Sequence, residues 1–404
     1  MEETTVLGQI CQLLGVKRLA EWGEASGVNR YSKGLTVERL LFVLVAAQLR
    51  GVASLRDAAQ LCAEDEALRD TIGLRDLGRT TLSDALARFP AELFERLFRE
   101  AAETFARRLR SDRGKVLMDV LTLLDSTTVT VPLADFPWAK YNRILGAFKA
   151  HMTLELAGEA VYPRQIILTH GKVADISVAK AFVTPSPDSI LVADRGYEDK
   201  RFFRLCAMHG TRFVIRAKSS TYYYAQADTP AALSQGALAD EIVVTRIEDL
   251  RNPAIPRLRR IVLPPFDKHE KPIILLTDLL DRTATEIGAM YRKRWQIELF
   301  FRFLKSQLRI TKLYGCSENA IRIQLAVAGL VAIVIAYLTS LAEQARDSLL
   351  GPTACLRRLR YCLLSTCNLA ELLLRTLRRR KRLFPTRLPP LIPPIQLELP
   401  LAFS

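Results

Sequence analysis

Four polar residues recur at helical spacing in YRKRWQIELFFRFLK, the stretch Tyr291 to Lys305: Tyr291, Arg294, Glu298 and Lys305. At about 100° per residue, an α-helix gathers these four on one stripe roughly 60° wide. Ile297, Leu299, Phe300, Phe301, Phe303 and Leu304 cover most of the remaining circumference, so the spacing predicts one buried helix. A carboxylate on such a helix is costly unless it is paired or binds a metal. The plainest partner is Arg294, four residues before Glu298, as a solvated ion pair. The chemical alternative is that Glu298 joins other acids around divalent cations.

Two aspartates qualify. Asp125 follows LTLL in VLMDVLTLLDSTTVTV, and Asp194 follows ILVA in SILVADRGYED, so each is expected at or near the end of a strand. Either alone reads as turn chemistry, because aspartate caps turns. Together with Glu298 they can converge on two divalent cations, and an all-oxygen donor set suits Mg2+ or Mn2+. Asp119 lies inside its apolar run, and Asp278, at the end of PIILLTD, lacks the D-x-G-Y setting, so both rank lower.

The elements that must position these acids follow from the patterning. Val116–Val131 is a β-rich run, Phe148–Gly158 alternates as a second strand, and VYPRQIILTHGK forms a third that stops at Gly171. Residues 175–184 form a short helix, and a helix starts near Asp199 after the Asp194 strand. Three strands, a helix and then an aspartate-bearing strand is the order of an RNase H-like α/β fold. Residues 213–282 read as several short β runs rich in basic residues. Arg216, Lys218, Arg257, Arg259 and Arg260 are candidate phosphate contacts there. Tyr222, Tyr223 and Tyr224 either stack on an extruded base or lie on alternate faces of a β surface.

Residues 1–110 read as helical. Thr36, Ser54 and Thr80 or Thr81 are expected N-caps, and Arg75, Arg79 and Arg88 cluster locally. A helix-turn-helix array and a scaffold or dimerisation domain both fit, since this segment carries as many acidic as basic residues. The net charge of +15 therefore rests on the middle and the tail, and it points to a polyanionic partner. The tail has a helical portion ending in the basic run Arg375–Arg382, followed by a Pro-rich stretch expected to be extended or disordered. The run is read as a phosphate-binding face, or else as a solvated helix end. Seven scattered cysteines without a C-x2-C pair, and four histidines without ligand spacing, speak against disulfides and zinc and for a reducing cytoplasm. The acidic start MEETTV gives no sign of a signal peptide. Leu325–Ala342 has the length and apolarity of a membrane span, and is read instead as a buried core helix.

The spacing Y-x2-R-x3-E-x6-K is met without deviation, and with LLDSTTV, LADFPWAKYN and VADRGYED the chain resembles the IS4-type DDE transposases over roughly residues 30–340. KGLT, AQL, SLRD and GRTTLSDA resemble the N-terminal DNA-binding part of that family. The resemblance implies an RNase H-like DDE catalytic domain at 111–345, with a β-rich insertion at about 213–282. A helical DNA-binding domain (1–110) precedes it and a basic helical, Pro-rich tail (346–404) follows. It implies cut-and-paste transposition of an insertion sequence: end cleavage by hydrolysis or through a hairpin, then transfer of a 3′-OH to target DNA. Asp125, Asp194 and Glu298 would be catalytic and hold two Mg2+ ions, with Mn2+ as a substitute. Tyr291, Arg294, Lys305, Arg216, Lys218 and Arg79 would contact DNA. The partners would be terminal inverted repeats, target DNA and a second copy of the chain, in a bacterial cytoplasm on the nucleoid and away from membranes. A catalytically inactive DNA-binding relative acting as a repressor, and an RNase H-fold nuclease without strand transfer, are the alternatives. If the helices of 1–110 read the DNA ends, Arg79→Ala will weaken end binding in a gel-shift titration while the metal dependence of cleavage stays as in wild type.

Overall fold

The computed structural model describes residues 4–30, 32, 34–74, 76–111, 120–157, 160–183, 189–244, 257–266, 271–344 and 351–369. The basic run Arg375–Arg382, the Pro-rich tail, Arg75 and Asp119 lie outside them.

Seven helices come first: α1 (Val6–Leu13), α2 (Val16–Ala25), α3 (Val37–Arg50), α4 (Leu55–Glu64), α5 (Glu66–Ile72), α6 (Arg79–Arg88) and α7 (Ala91–Ser111). Ser54 caps α4 by accepting the Asp57 N–H at 3.2 Å. Thr36 holds the N-cap position of α3 without a side-chain cap bond. The expected Thr80 or Thr81 cap is corrected: Gly78 is the N-cap of α6, and both threonines lie inside the helix.

The central part is mixed α/β, in the order β1 (Val120–Pro132), β2 (Leu145–Ala157), β3 (Ala160–His170), α8 (Asp175–Ala179), β4 (Ser189–Ala193), α9 (Lys200–Met208) and β5 (Arg212–Arg216). These strands continue into β6 (Tyr224–Asp228), β7 (Ala239–Val244), β8 (Leu258–Leu263) and β9 (Ile273–Thr277). All nine join in one sheet, ordered β3-β2-β1-β4-β5-β9-β8-β7-β6. The β1–β2–β3 meander is antiparallel, whereas β4 and β5 add in parallel. The β runs of 213–282 are therefore an extension of the same sheet, joined through the antiparallel β5–β9 pair.

Side-chain parity sorts this sheet into two faces. Leu121, Leu123, Ile190 and Val192 belong to the larger apolar core, whereas Leu124, Leu191 and Ala193 pack with Phe202, Phe203 and Cys206 of α9. The larger core is shared by the sheet, the N-terminal helices and α10 (Ala284–Arg292), α11 (Trp295–Ser306), α12 (Glu318–Gln344) and α13 (Pro352–Cys362).

α12 is the membrane-length segment, and 89% of its apolar window is buried inside the fold. Polar side chains tie it to the N-terminal helices. Asn319 accepts the Ala91 N–H at 3.0 Å and donates to the carbonyls of Leu86 and Phe89, so it joins the end of α6 to the start of α7. Arg322 pairs with Glu95 at 2.7 Å and Glu92 at 2.8 Å.

Gly329 is where α12 makes a close approach. A Cβ there would stand 2.7 Å from Phe98 Cε2 and 2.9 Å from Ile166 Cδ1. Alanine gains about 1 kcal/mol of helix propensity over glycine. Overpacking against a ring and a β-branched side chain typically costs about 1–3 kcal/mol, so crowding outweighs propensity. Gly329→Ala will lower the midpoint of thermal unfolding followed by circular dichroism, and a raised midpoint would show that the neighbours can yield.

Candidate active site

The single helix expected over Tyr291–Lys305 is corrected: the chain makes two. α10 ends at Arg292 and α11 starts at Trp295, with Lys293 and Arg294 in the turn between them. The N–H groups of Arg294, Gln296 and Ile297 each donate to the carbonyl three residues earlier, so the backbone tightens there. Tyr291 is buried on α10, Arg294 stands at the junction, and Glu298 and Lys305 lie on α11. Ile297, Phe300, Phe301 and Leu304 bury one side of α11, whereas Trp295 and Leu299 are exposed.

The strand-end expectation for Asp125 is also corrected. Asp125 lies within β1, paired with Met152 of β2. What stops beside it is the parallel partner, because the β1–β4 register ends at Leu124 and Ala193. Asp194 follows immediately, beyond the end of β4. Asp125 continues the parity of Leu121 and Leu123, and Asp194 that of Ile190 and Val192, so both aspartates are on the sheet face that carries α10 and α11.

A cleft of about 630 Å3 results, lined by Asp125, Ser126, Asp194, Arg294, Glu298, Phe301, Arg302, Lys305 and Ser306. Arg294 donates to Asp125 Oδ2 at 3.4 Å and to Glu298 Oε1 at 2.5 Å. Its guanidinium also lies over the Tyr291 ring, 5.9 Å from the centroid. Ser126 N–H donates to Asp125 Oδ1 at 2.8 Å, and Gly196 N–H donates to Asp194 Oδ1 at 2.8 Å. Lys305 Nζ donates to the Thr128 carbonyl at 3.3 Å. Burial raises the Asp125 carboxyl to about 6, with the charges of Asp194 and Glu298 adding to the rise and the Ser126 N–H and Arg294 opposing it. Burial likewise raises the Tyr291 phenol, against the nearby cations Arg294 and Arg216.

Arg302 and Ser126 line the cleft and were not singled out in the sequence. Arg302 carried a signal, since it lies four residues after Glu298 and so on the same helical face. Behind the cleft, on the opposite face of β1, Asp175 accepts from Ser126 Oγ at 2.8 Å and Lys149 Nζ at 3.0 Å, beside the buried His151.

Several candidates lie elsewhere. Arg79 is exposed on the first turn of α6. Arg216 ends β5, on the Tyr291 side. Lys218 is pinned to Glu198, its backbone N–H donating to the carboxylate and its Nζ to the carbonyl. Arg259 is corrected outright. It is fully buried, donating to both oxygens of Asp240 at 2.8 and 2.6 Å and to the carbonyls of Leu233, Leu279 and Arg282, so it holds the sheet extension together and cannot reach a phosphate. Tyr223 is committed to Glu198 Oε1 at 2.5 Å, whereas Tyr222 is 87% exposed. Arg257 and Arg260 sit on or beside β8 at the surface, with Arg260 3.5 Å from Glu241. Asp278, raised by burial, accepts the Phe213 N–H at 2.8 Å as a turn residue.

Among the described residues, no three His, Cys, Asp or Glu side chains stand within one ion's reach. Arg294 occupies the space between two of the carboxylates instead. The donor set still fits hard divalent cations: three carboxylates from three elements face one cleft, and burial, with the charges of the other two acids adding to it, raises Asp125.

The model of the transposase DDE domain matches residues 117–335, and the chain belongs to that family. It is 25% identical over 338 residues to a probable transposase for insertion sequence element IS5377 of Geobacillus stearothermophilus, covering 83% of this chain and 85% of that protein. It is 30% identical over 264 residues to a putative transposase of Sinorhizobium fredii, covering 64% and 70% respectively. A putative transposase for insertion sequence element IS4SA of Synechocystis matches at 25% identity over 251 residues, covering 60% and 66%. Within the family the chain is of the IS4 type, an enzyme that cleaves and transfers DNA strands in the transposition of an insertion sequence. A piggyBac transposase synaptic complex with hairpin DNA superposes loosely, with a TM-score of 0.49 and 10% identity over 95% of this chain and 86% of that one.

The raised Asp125 carboxyl fixes a pH dependence. A carboxyl whose folded pKa exceeds its unfolded value binds more protons when folded, so stability falls as pH rises from about 4 through about 6. Asp125→Asn will flatten this fall and, in EDTA at neutral pH, raise stability by on the order of 2 kcal/mol in denaturant titrations. An equally steep fall in the variant would assign the titration to another group.

Proposed function

We propose that the chain performs cut-and-paste transposition with an RNase H-like catalytic core in which Asp125, Asp194 and Glu298 are the catalytic acids. What supports this reading is that residues from three separate elements meet in one cleft together with Arg294 and Lys305. The three carboxylates would hold two Mg2+ ions, or Mn2+, which supply Lewis acidity for activating a water or DNA 3′-OH and for stabilising the leaving oxygen.

The chain's own groups do the rest. Asp125 and Asp194 are each oriented by a backbone N–H, so they present fixed oxygens to the cleft. A phosphate entering the cleft competes with Asp125 and Glu298 for the fork of Arg294, which can bind it through two donors. Tyr291 lies under that guanidinium and limits where it can swing. Lys305 is held at the cleft edge by a single carbonyl, which leaves its other protons for a terminal phosphate. Arg216 and Lys218 would contact backbone phosphates beside the cut, Tyr222 would supply a stacking face, and Arg79 would act in end recognition. Two copies on paired ends, working on the bacterial nucleoid, complete the reading.

Cleavage of a supercoiled donor plasmid carrying the flanking element ends, with Mg2+ or Mn2+, tests it. Wild type will cut at the ends, and Glu298→Ala will reduce the rate by at least about a thousandfold, on the scale of removing a group that stabilises the transition state. Equal cutting by both proteins would remove Glu298 from the site.

A further inference from the structure

The connection between β1 and β2 lies outside the cleft and is built like a contact surface. At its tip Ile144 is 82% exposed, Tyr141 45% and Leu145 44%. One exposed apolar side chain is ordinary, but three neighbours on one turn form a patch. The turn is braced from several sides. Asn142 Oδ1 accepts the N–H groups of Ile144 at 2.9 Å and Leu145 at 2.7 Å, while Tyr141 and Asn142 both donate to the Leu145 carbonyl. Trp138 Nε1 donates to the Cys316 carbonyl at 2.7 Å, and its ring stacks on Phe148. Tyr141 covers Gly171 so closely that a Cβ there would lie 3.0 Å from its ring. A tip held this firmly loses little conformational entropy when something docks on it.

Charge says what docks. Lys140 and Arg143 flank the patch and Lys172 follows Gly171; all three are exposed, and none forms an ion pair among the described residues. Asp135 is an acid of the same region, close to Cys316, and the exposed Glu318 follows that cysteine by two residues. The cleft leads here. α11 runs beside β1 in the same sense: Arg294, just before it, reaches Asp125, and further along both elements Lys305 reaches Thr128. Arg302 and Lys305 line this path. From Asp125 to the end of β1 at Pro132 is about 23 Å, or roughly seven base pairs of duplex at about 3.4 Å each.

We propose that the β1–β2 tip is a second DNA-contacting site. Lys140, Arg143 and Lys172 hold phosphates of the duplex whose end lies at the acids, and Ile144 enters a base step as an apolar wedge about seven base pairs from the cut. The proposal rests on the assignment of Asp125, Asp194 and Glu298 as the cut site.

A pre-cut duplex carrying the element end, with 2-aminopurine substituted in turn around the seventh pair, is the probe, with Ca2+ to prevent cleavage. Wild type will raise the 2-aminopurine fluorescence there. Ile144→Ala will abolish the rise and leave the salt dependence of binding unchanged. The double variant Lys140→Ala with Arg143→Ala will weaken binding and lower the slope of log affinity against log salt by about 2, one per lost phosphate contact. All three side chains are exposed, and unchanged melting temperatures will show that the variants fold. Variants that bind with wild-type slope and fluorescence would overturn the proposal. So would an Ile144→Ala protein that merely dissociates in sedimentation, which would assign the patch to a second copy of the chain. A wild type that binds no end duplex would sink the cut-site reading and this proposal with it.

Discussion

Like charges crowded into a half-buried cleft repel, and the fold around this cleft answers that constraint. Asp125, Asp194 and Glu298 face one another across the end of a parallel strand pair, and Asp125 is raised first by its burial and further by the charges of the other two. In the protein by itself, Arg294 offsets the repulsion by lying between two of the three acids. In the proposed mechanism the same guanidinium would release them to cations when a phosphate takes it up. The placement of Arg294 follows from the turn between α10 and α11, where the helix tightens and sets the arginine opposite β1.

β1 is the spine of the molecule. It carries Asp125 at the point where the parallel β4 stops, keeps Lys305 at the cleft edge through the Thr128 carbonyl, and ends in a braced turn with an apolar tip. α11 runs alongside it and carries Arg302 and Lys305 on the wall of the cleft. α12 fixes this arrangement from behind. Its apolar length is buried between the sheet and the N-terminal helices, and Asn319 and Arg322 satisfy the helix ends and acids that meet it there. A segment with the composition of a membrane span thus serves as the common wall of two layers.

The sequence was most informative where a short-range pattern has one physical solution. The second and third strands, the stop at Gly171, the short helix at 175 and the Ser54 cap all appear where the pattern places them. It misled where the answer depends on a neighbour far along the chain. Asp125 reads as a strand end because a polar residue follows an apolar run, yet β1 continues beside β2 and only the parallel partner stops. Arg259 reads as a surface cation in a basic stretch, but Asp240, nineteen residues earlier, draws it fully inside. Thr80 and Thr81 offer good capping side chains, but Gly78 takes the cap position ahead of them.

By itself, then, the sequence determined the residue types and their parity. The helical spacing of Arg294, Glu298 and Lys305, and the aspartates that end apolar runs, are properties of local periodicity that no packing can alter. The tertiary structure alone decided that the three acids share one cleft, that Arg294 is their counter-ion, and that Arg302 and Ser126 join them. Those are contacts between β1, β4 and α11, separated by scores of residues, and only the sheet order and the helix packed on one face bring them within bonding distance.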